Sequence, residues 1–210
     1  MPDIIFNGKS SRYHYGLELD ACYVSAPVRK SYPVDIPCGD AVIDMMQGEP
    51  VYEQRILTME FTIVEVNAQD TAPRLLAELV GRTVDMITPD NPFYFWTGTV
   101  RLVSAGRSRG DAVAMEAHVF PWRRSNYPAV HEYKASEAQT PFSWRNAGSR
   151  VVVPRITVTG GPATITARGI TKTVDPGTYL FSEFKILGQS TVDGVLSGGA
   201  IHAEYREAIL

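Results

Sequence analysis

Two cysteines, Cys22 and Cys38, are all that 210 residues contain. That excludes a disulfide framework or a cysteine-built zinc cluster and leaves two thiols or one optional bridge. Long apolar runs are missing too: none approaches the roughly 18 residues of a membrane span. The opening MPDIIFNGKSS lacks the charged and apolar blocks of a signal peptide, so the chain is expected to be soluble and unexported, with no membrane insertion. Nor does one sign of charge dominate. With 20 basic and 23 acidic side chains the net charge is −3, and without a long basic run a basic nucleic-acid-binding face is disfavoured. A passage that lets DNA slide by needs no positive charge. His14, His118, His131 and His202 are scattered, and neither HExxH nor CxxC occurs, so no metal is expected. Phosphate loops of the GxxxxGK[ST] or GxGxxG kind are also lacking, and no cofactor is expected.

What is present is enough apolar material, 44% of residues, for one large all-β domain or two smaller ones. Leu57, Met59, Phe61 and Ile63 alternate with Ile56, Thr58, Glu60 and Thr62, the pattern of a half-buried strand. Residues 93–105 and 111–120 read as a β-hairpin around the turn GRSRG. Short strands are expected in IIFN, LELDACYV and YPVDIP, and residues 37–50 as a long loop or protruding arm. One helix is expected over about 71–80: Asp70 or Thr71 caps it, Pro73 fits its first turn and Gly81 ends it. Leu75, Leu76, Leu79 and Val80 form its apolar stripe. Past Tyr127 the pattern weakens and then resumes as strands and glycine turns. The expected fold is therefore mainly β: an N-terminal β-sandwich or barrel-like domain with one helix over 1–128, then a small C-terminal β-sandwich over 129–210 with an irregular entrance at 129–148.

Motifs for catalysis are weak. Gly106-Arg107-Ser108-Arg109-Gly110 fits G-x-S-x-G, but a nucleophile elbow leads from strand to helix, and here period-two alternation follows. It reads as a turn. Asp40 with Asp44, or Glu53 with Glu60, read as solvated surface acids, and no catalytic residue is expected. Tyr52, Glu53 and Arg55 precede the clearest strand, with Glu53 and Arg55 on one side of an extended chain, where they pair or meet a neighbouring subunit. In PFYFW, Phe93 and Phe95 take one strand face and Tyr94 and Trp96 the other. Both faces are then apolar, which suits a subunit or domain contact. Trp144 and Tyr179 are candidates for stacking on a sugar.

The order of the pieces resembles the distal tail protein family of long-tailed, non-contractile bacteriophages and prophages. IIFNGKSSRYHYGL resembles that family's opening, an FNG turn before a Tyr-Gly-Leu strand. YPVDIPCGDAVIDM and VYEQRILTMEFTI resemble its I-P-G-x-D-G segment and the Y-E-x-R strand that follows. RTVDMITPDNPFYFWTGTV resembles its Asp-x-Pro turn and aromatic strand ending in glycine, HVFPW the close of its first domain, and YREAIL its Y-R-E-G-x-L ending. Cys38, Ala41 and Ala208 stand where the family has glycine. The resemblance covers nearly the whole chain and implies a structural virion protein. Its N-terminal domain would assemble as a homohexameric ring joining tail tube to tail tip or baseplate, with DNA passing through only as cargo. The galectin-like or carbohydrate-module-like C-terminal sandwich would attach tail-tip or receptor-binding proteins, or touch cell-surface glycan. The alternative reading is a carbohydrate-binding module for host-surface attachment.

Overall fold

The computed structural model describes residues 2–31, 33–35, 42–44, 50–65, 68–136, 138–182, 184–186 and 188–210, with the backbone alone at 33–35, 42–44 and 68. It is mainly β and divides into two compact units, Met1–Arg123 and Arg124–Leu210. No helix among the described residues is long and apolar enough to cross a membrane.

In the first unit the elements are β1 (Ile5–Phe6), β2 (Lys9–Ser10), α1 (Ser11–Tyr15), β3 (Leu17–Val24), β4 (Pro33–Asp35), β5 (Val42–Asp44), β6 (Arg55–Ile63), α2 (Thr71–Glu78), β7 (Thr83–Ile87), β8 (Tyr94–Ala105) and β9 (Ala112–Val119). Seven strands run in the antiparallel order β2-β1-β7-β8-β9-β6-β3. The alternation read in β6 is real: Leu57, Met59, Phe61 and Ile63 are buried. Three strands separate β1 from β6, which would put them about 19 Å apart in a flat sheet at about 4.8 Å per strand. Yet the Phe6 and Phe61 ring centres lie 6.4 Å apart. The sheet is therefore rolled around its core in the expected barrel-like form, and bulges after Leu19 and Leu102 help it bend.

Local chemistry sets the turns. Asn7 and Gly8 both have positive φ, 49° and 82°, which suits the two-residue hairpin joining β1 to β2. A short helix follows, α1, capped by Ser10 Oγ accepting from the Tyr13 N–H and ended by Gly16 at φ 66°. Helix α2 lies where expected, but its buried stripe is narrower: Leu75 and Leu79 are buried while Leu76 is 54% exposed. The helix ends at Glu78, three residues before the expected stop at Gly81, so Leu79 and Val80 lie beyond it.

Residues 42–44, expected within a loop, form a strand paired with β4. The rest of 37–49 lies outside the described residues, including Cys38, Asp40 and Ala41. Between this pair and the β3–β6 ladder, the Ser25 N–H donates to Ile56 O, Glu53 N–H to Val28 O and Lys30 N–H to Val51 O, and Arg29 bridges Tyr52. Residues 25–30 and 51–56 thus make a two-stranded ribbon continuous with the sheet.

Beginning with β10 (Arg123–Ser125), the strands continue as β11 (Ala129–Lys134), β12 (Thr140–Arg145), β13 (Arg155–Thr159), β14 (Ala163–Ala167), β15 (Ile170–Val174), β16 (Gly177–Leu180), β17 (Thr191–Leu196), β18 (Ala200–Tyr205) and β19 (Ala208–Ile209). In the second unit two antiparallel sheets, β11-β18-β13-β16 and β12-β17-β14-β15, share one apolar core. This is a β-sandwich. The entrance expected to be irregular at 129–148 instead holds β11 and β12. Both are edge strands with polar outer faces, and prolines at 128 and 141 blur their period-two pattern. Gly194 interrupts the period-two pattern of β17; a Cβ there would lie 2.2 Å from Phe142 Cζ, so the glycine makes room for a core ring. Residues 205–210 fasten the start of the unit. Arg206 donates to the Ser125 and Asn126 carbonyls, and Ala208 O accepts from the Ser149 N–H.

Candidate functional site

Three residues singled out in the sequence, Tyr52, Arg55 and Trp96, fall in one neighbourhood of the first unit. Arg55 begins β6 on its inward face and is 7% exposed. Its Nε donates to Ser25 O at 2.7 Å, and its guanidinium carbon stands 5.0 Å from the centre of the buried Trp96 ring. The guanidinium of Arg123 is also 5.0 Å from that ring and donates to Asp90 Oδ2 at 2.6 Å. Burial, and then the charge of Arg123, lower the pKa of Arg55. Tyr52 meets Trp122 edge to face with centres 5.4 Å apart. Gly98 permits the packing of β8 on β9: a Cβ there would come within 2.3 Å of His118 O.

The Glu53–Arg55 pair does not form among the described residues. Tyr52 makes an isolated bridge and residues 53–54 are not strand, so alternation does not carry from Glu53 to Arg55. Glu53 is exposed, and Arg55 is bound to Ser25 O and the Trp96 ring of its own chain. The expectation of two apolar faces on PFYFW also fails in part. Phe93 lies in the turn before β8 and is 65% exposed, Tyr94 and Phe95 are half-buried, and only Trp96 enters the core. Sequence reading missed Asp90, Trp122 and Arg123 as members of this cluster. Asp90 and Trp122 sit in the Asp-x-Pro turn and HVFPW segments it had marked, and Arg123 directly follows the latter, but nothing in the order of residues says those segments meet.

A second polar hub joins α1, α2 and β2. Glu78 Oε2 accepts from Lys9 Nζ at 2.6 Å and Tyr15 OH at 3.1 Å, with His14 Nε2 at 3.3 Å. These partners, Lys9 foremost, bring its pKa down to about 2, which leaves no proton for acid catalysis at neutral pH. A cavity of about 200 Å³ adjoins it, lined by Asn7, Lys9, Tyr15, Glu78, Leu79 and Arg82. The outward side of the rolled sheet is acidic, carrying Asp20, Glu60, Asp85 and Glu116 beside Arg101 and His118.

Ser108 is exposed in a turn before a strand. The Arg107 and Ser108 N–H groups donate to Asp111 Oδ2 at 2.8 and 2.9 Å, so amides that an oxyanion would need are already engaged. Cys22 is a half-buried free thiol, its pKa pushed up to about 11 by burial and then by Asp90.

Stacking of a sugar on Trp144 is overturned. The ring is 4% exposed, with Phe142 5.4 Å away on one inner-face stack and His131 and Tyr133 against it. It is a core residue, because β12 closes the sandwich instead of running loose. Tyr179 belongs to the other sheet, where it is half-buried, stacked on Phe181 at 5.1 Å, and donates to Asp175 O.

No family model matches the chain, and no curated protein sequence does. Among solved structures it is similar to the crystal structure of the SPP1 Dit (gp 19.1) protein, a paradigm of the hub adsorption apparatus in phages infecting Gram-positive bacteria. The likeness covers 100% of both chains with a TM-score of 0.70 at 11% identity. The fold expected from the distal tail resemblance is the fold found.

Proposed function

We propose that this protein is a non-enzymatic structural component of the distal end of a phage tail. Its first unit assembles with copies of itself into a hexameric ring between tail tube and tail tip, and its second unit attaches tip or receptor-binding proteins. The observation that carries this reading is the likeness to a tail hub protein over the whole of both chains, both units included. Two features of the first unit support it. The ribbon exposes Val28 and Val51, 54% and 46%, apolar side chains that a covering partner would remove from water. A partner against it would supply what the chain alone does not. The acidic outward face suits a passage for DNA, since carboxylates repel phosphates and keep a threading duplex from sticking. Closed rings need two different complementary surfaces on each subunit, and ribbon and sheet offer them.

Negative-stain imaging of the purified chain, with mass measured in solution, tests this. Sixfold rings are expected; single chains at every concentration, together with no binding to tail-tube or tip proteins, would reject it.

A further inference from the structure

Among the described residues, charge near the base of the ribbon does not balance. Two guanidiniums, Arg55 and Arg123, share the Trp96 ring, and the one carboxylate at hydrogen-bond distance from either is Asp90, through Arg123, among the described residues. That carboxylate is 62% exposed, so water weakens its hold. Arg55 is buried and spends its Nε on a neutral carbonyl. Arg123 Nε is buried and makes no hydrogen bond to protein among the described residues, leaving one edge of a planar five-donor fork unused there. Asp90 shares its turn with exposed Phe93, and Arg123 begins β10 three residues after exposed Phe120, 65% and 45%. Arginine and aromatic side chains around a partly desolvated centre are the composition of interface hot spots.

We propose that the Arg55–Trp96–Arg123 cluster is a receptor for a protein carboxylate. An Asp or Glu side chain of a neighbouring chain accepts from Arg123, with apolar residues beside it on Phe93 and Phe120. One added negative charge brings two cations and Asp90 to neutrality. A nucleic acid would want several cations along its backbone, and Asp90 beside the fork opposes a doubly charged phosphate. That the neighbour is a tail protein rests on the function proposed above; the carboxylate chemistry does not.

The test follows the Arg123 Nε–Hε signal in the full chain labelled with nitrogen-15 arginine, assigned by its absence in Arg123→Lys. The probes are N-acetyl-aspartate methylamide, inorganic phosphate and a short single-stranded oligonucleotide, at constant ionic strength. Expected is a saturable displacement by the aspartate probe. If copies already fill each other's receptor, the signal instead starts in the bound position and moves on dilution. Asp90→Asn, which frees the fork, should tighten aspartate-probe binding about tenfold. A signal that keeps one position at all chain and probe concentrations overturns the proposal. So does unchanged affinity in Asp90→Asn, or stronger binding of phosphate or oligonucleotide. Carboxylate binding by a chain that never forms rings would sink the ring alone, and rings whose Arg123 ignores carboxylates would sink the receptor alone.

Discussion

The first unit buries an arginine and carries a ribbon with exposed valines; the second closes two sheets over one apolar core and matches its own surface groups. On the second unit's sheets threonine hydroxyls pair across strands, Thr164 with Thr173 at 3.0 Å, Thr166 with Thr171 at 2.9 Å and Thr157 with Thr178 at 3.1 Å. Its edges are guarded as well. Pro141 sits in edge strand β12, and Lys172 of edge strand β15 turns inward, its Nζ 4.7 Å from the Phe181 ring centre. Inward charge and proline both deter further strand pairing. The difference is one of finish: the first unit leaves valines exposed along its ribbon and two guanidiniums on one indole, whereas the second pairs its surface hydroxyls and guards its edges.

The largest test of that contrast is Trp144→Ala. Removing a buried indole should cost about 3–5 kcal/mol, seen in denaturant unfolding as a shift of the second unit's transition alone. If both transitions moved together, the two units would unfold as one body and the contrast would fail. Arg55→Ala should act on the first unit by about 2–4 kcal/mol, from the lost cation–π contact and the charged hydrogen bond to Ser25 O. Arg55→Glu should be at least as damaging, and ring loss in either variant must be judged beside its thermal melt.

Gly199→Ala examines how tightly the second unit is finished. A Cβ there would stand 1.7 Å from Thr159 O at φ 69°, so a loss of about 2 kcal/mol is expected in the second transition. Acid probes the first unit's Glu78 hub. Its folded pKa is depressed from 4.5 to about 2, so its contribution is present above pH 4.5 and is lost as the pH falls towards 2. Thermal melts of Glu78→Gln should lack that component of the first unit's acid limb. Smallest is Ser108→Ala, within about 0.5 kcal/mol, and the wild type should take no fluorophosphonate label.

Regular, half-buried elements were legible in the sequence. Strand β6, the β8–β9 hairpin and the strands from β13 to β16 show their period because one face is core and the other is water. Helix α1 was not, since five residues give no period and its cap, Ser10, is visible only once Asp3 and Tyr13 are seen to bond it. Edge strands β11 and β12 hid behind polar faces and prolines. For the cluster, residue type pointed to Tyr52, Arg55 and Trp96, while their partners Asp90, Trp122 and Arg123 depend on which turns the rolled sheet brings together. Trp144 misled for the converse reason: an isolated tryptophan in a polar stretch looks available, and only the pairing of β12 with β17 turns it inward.

Lys172 also bears on crowding. Any assembly that gathered copies of the second unit around one axis would raise their local concentration to the millimolar range, where bare strand edges fuse into aggregates. An ammonium folded over Phe181 and Phe184 would let such neighbours be packed densely and still stay separate.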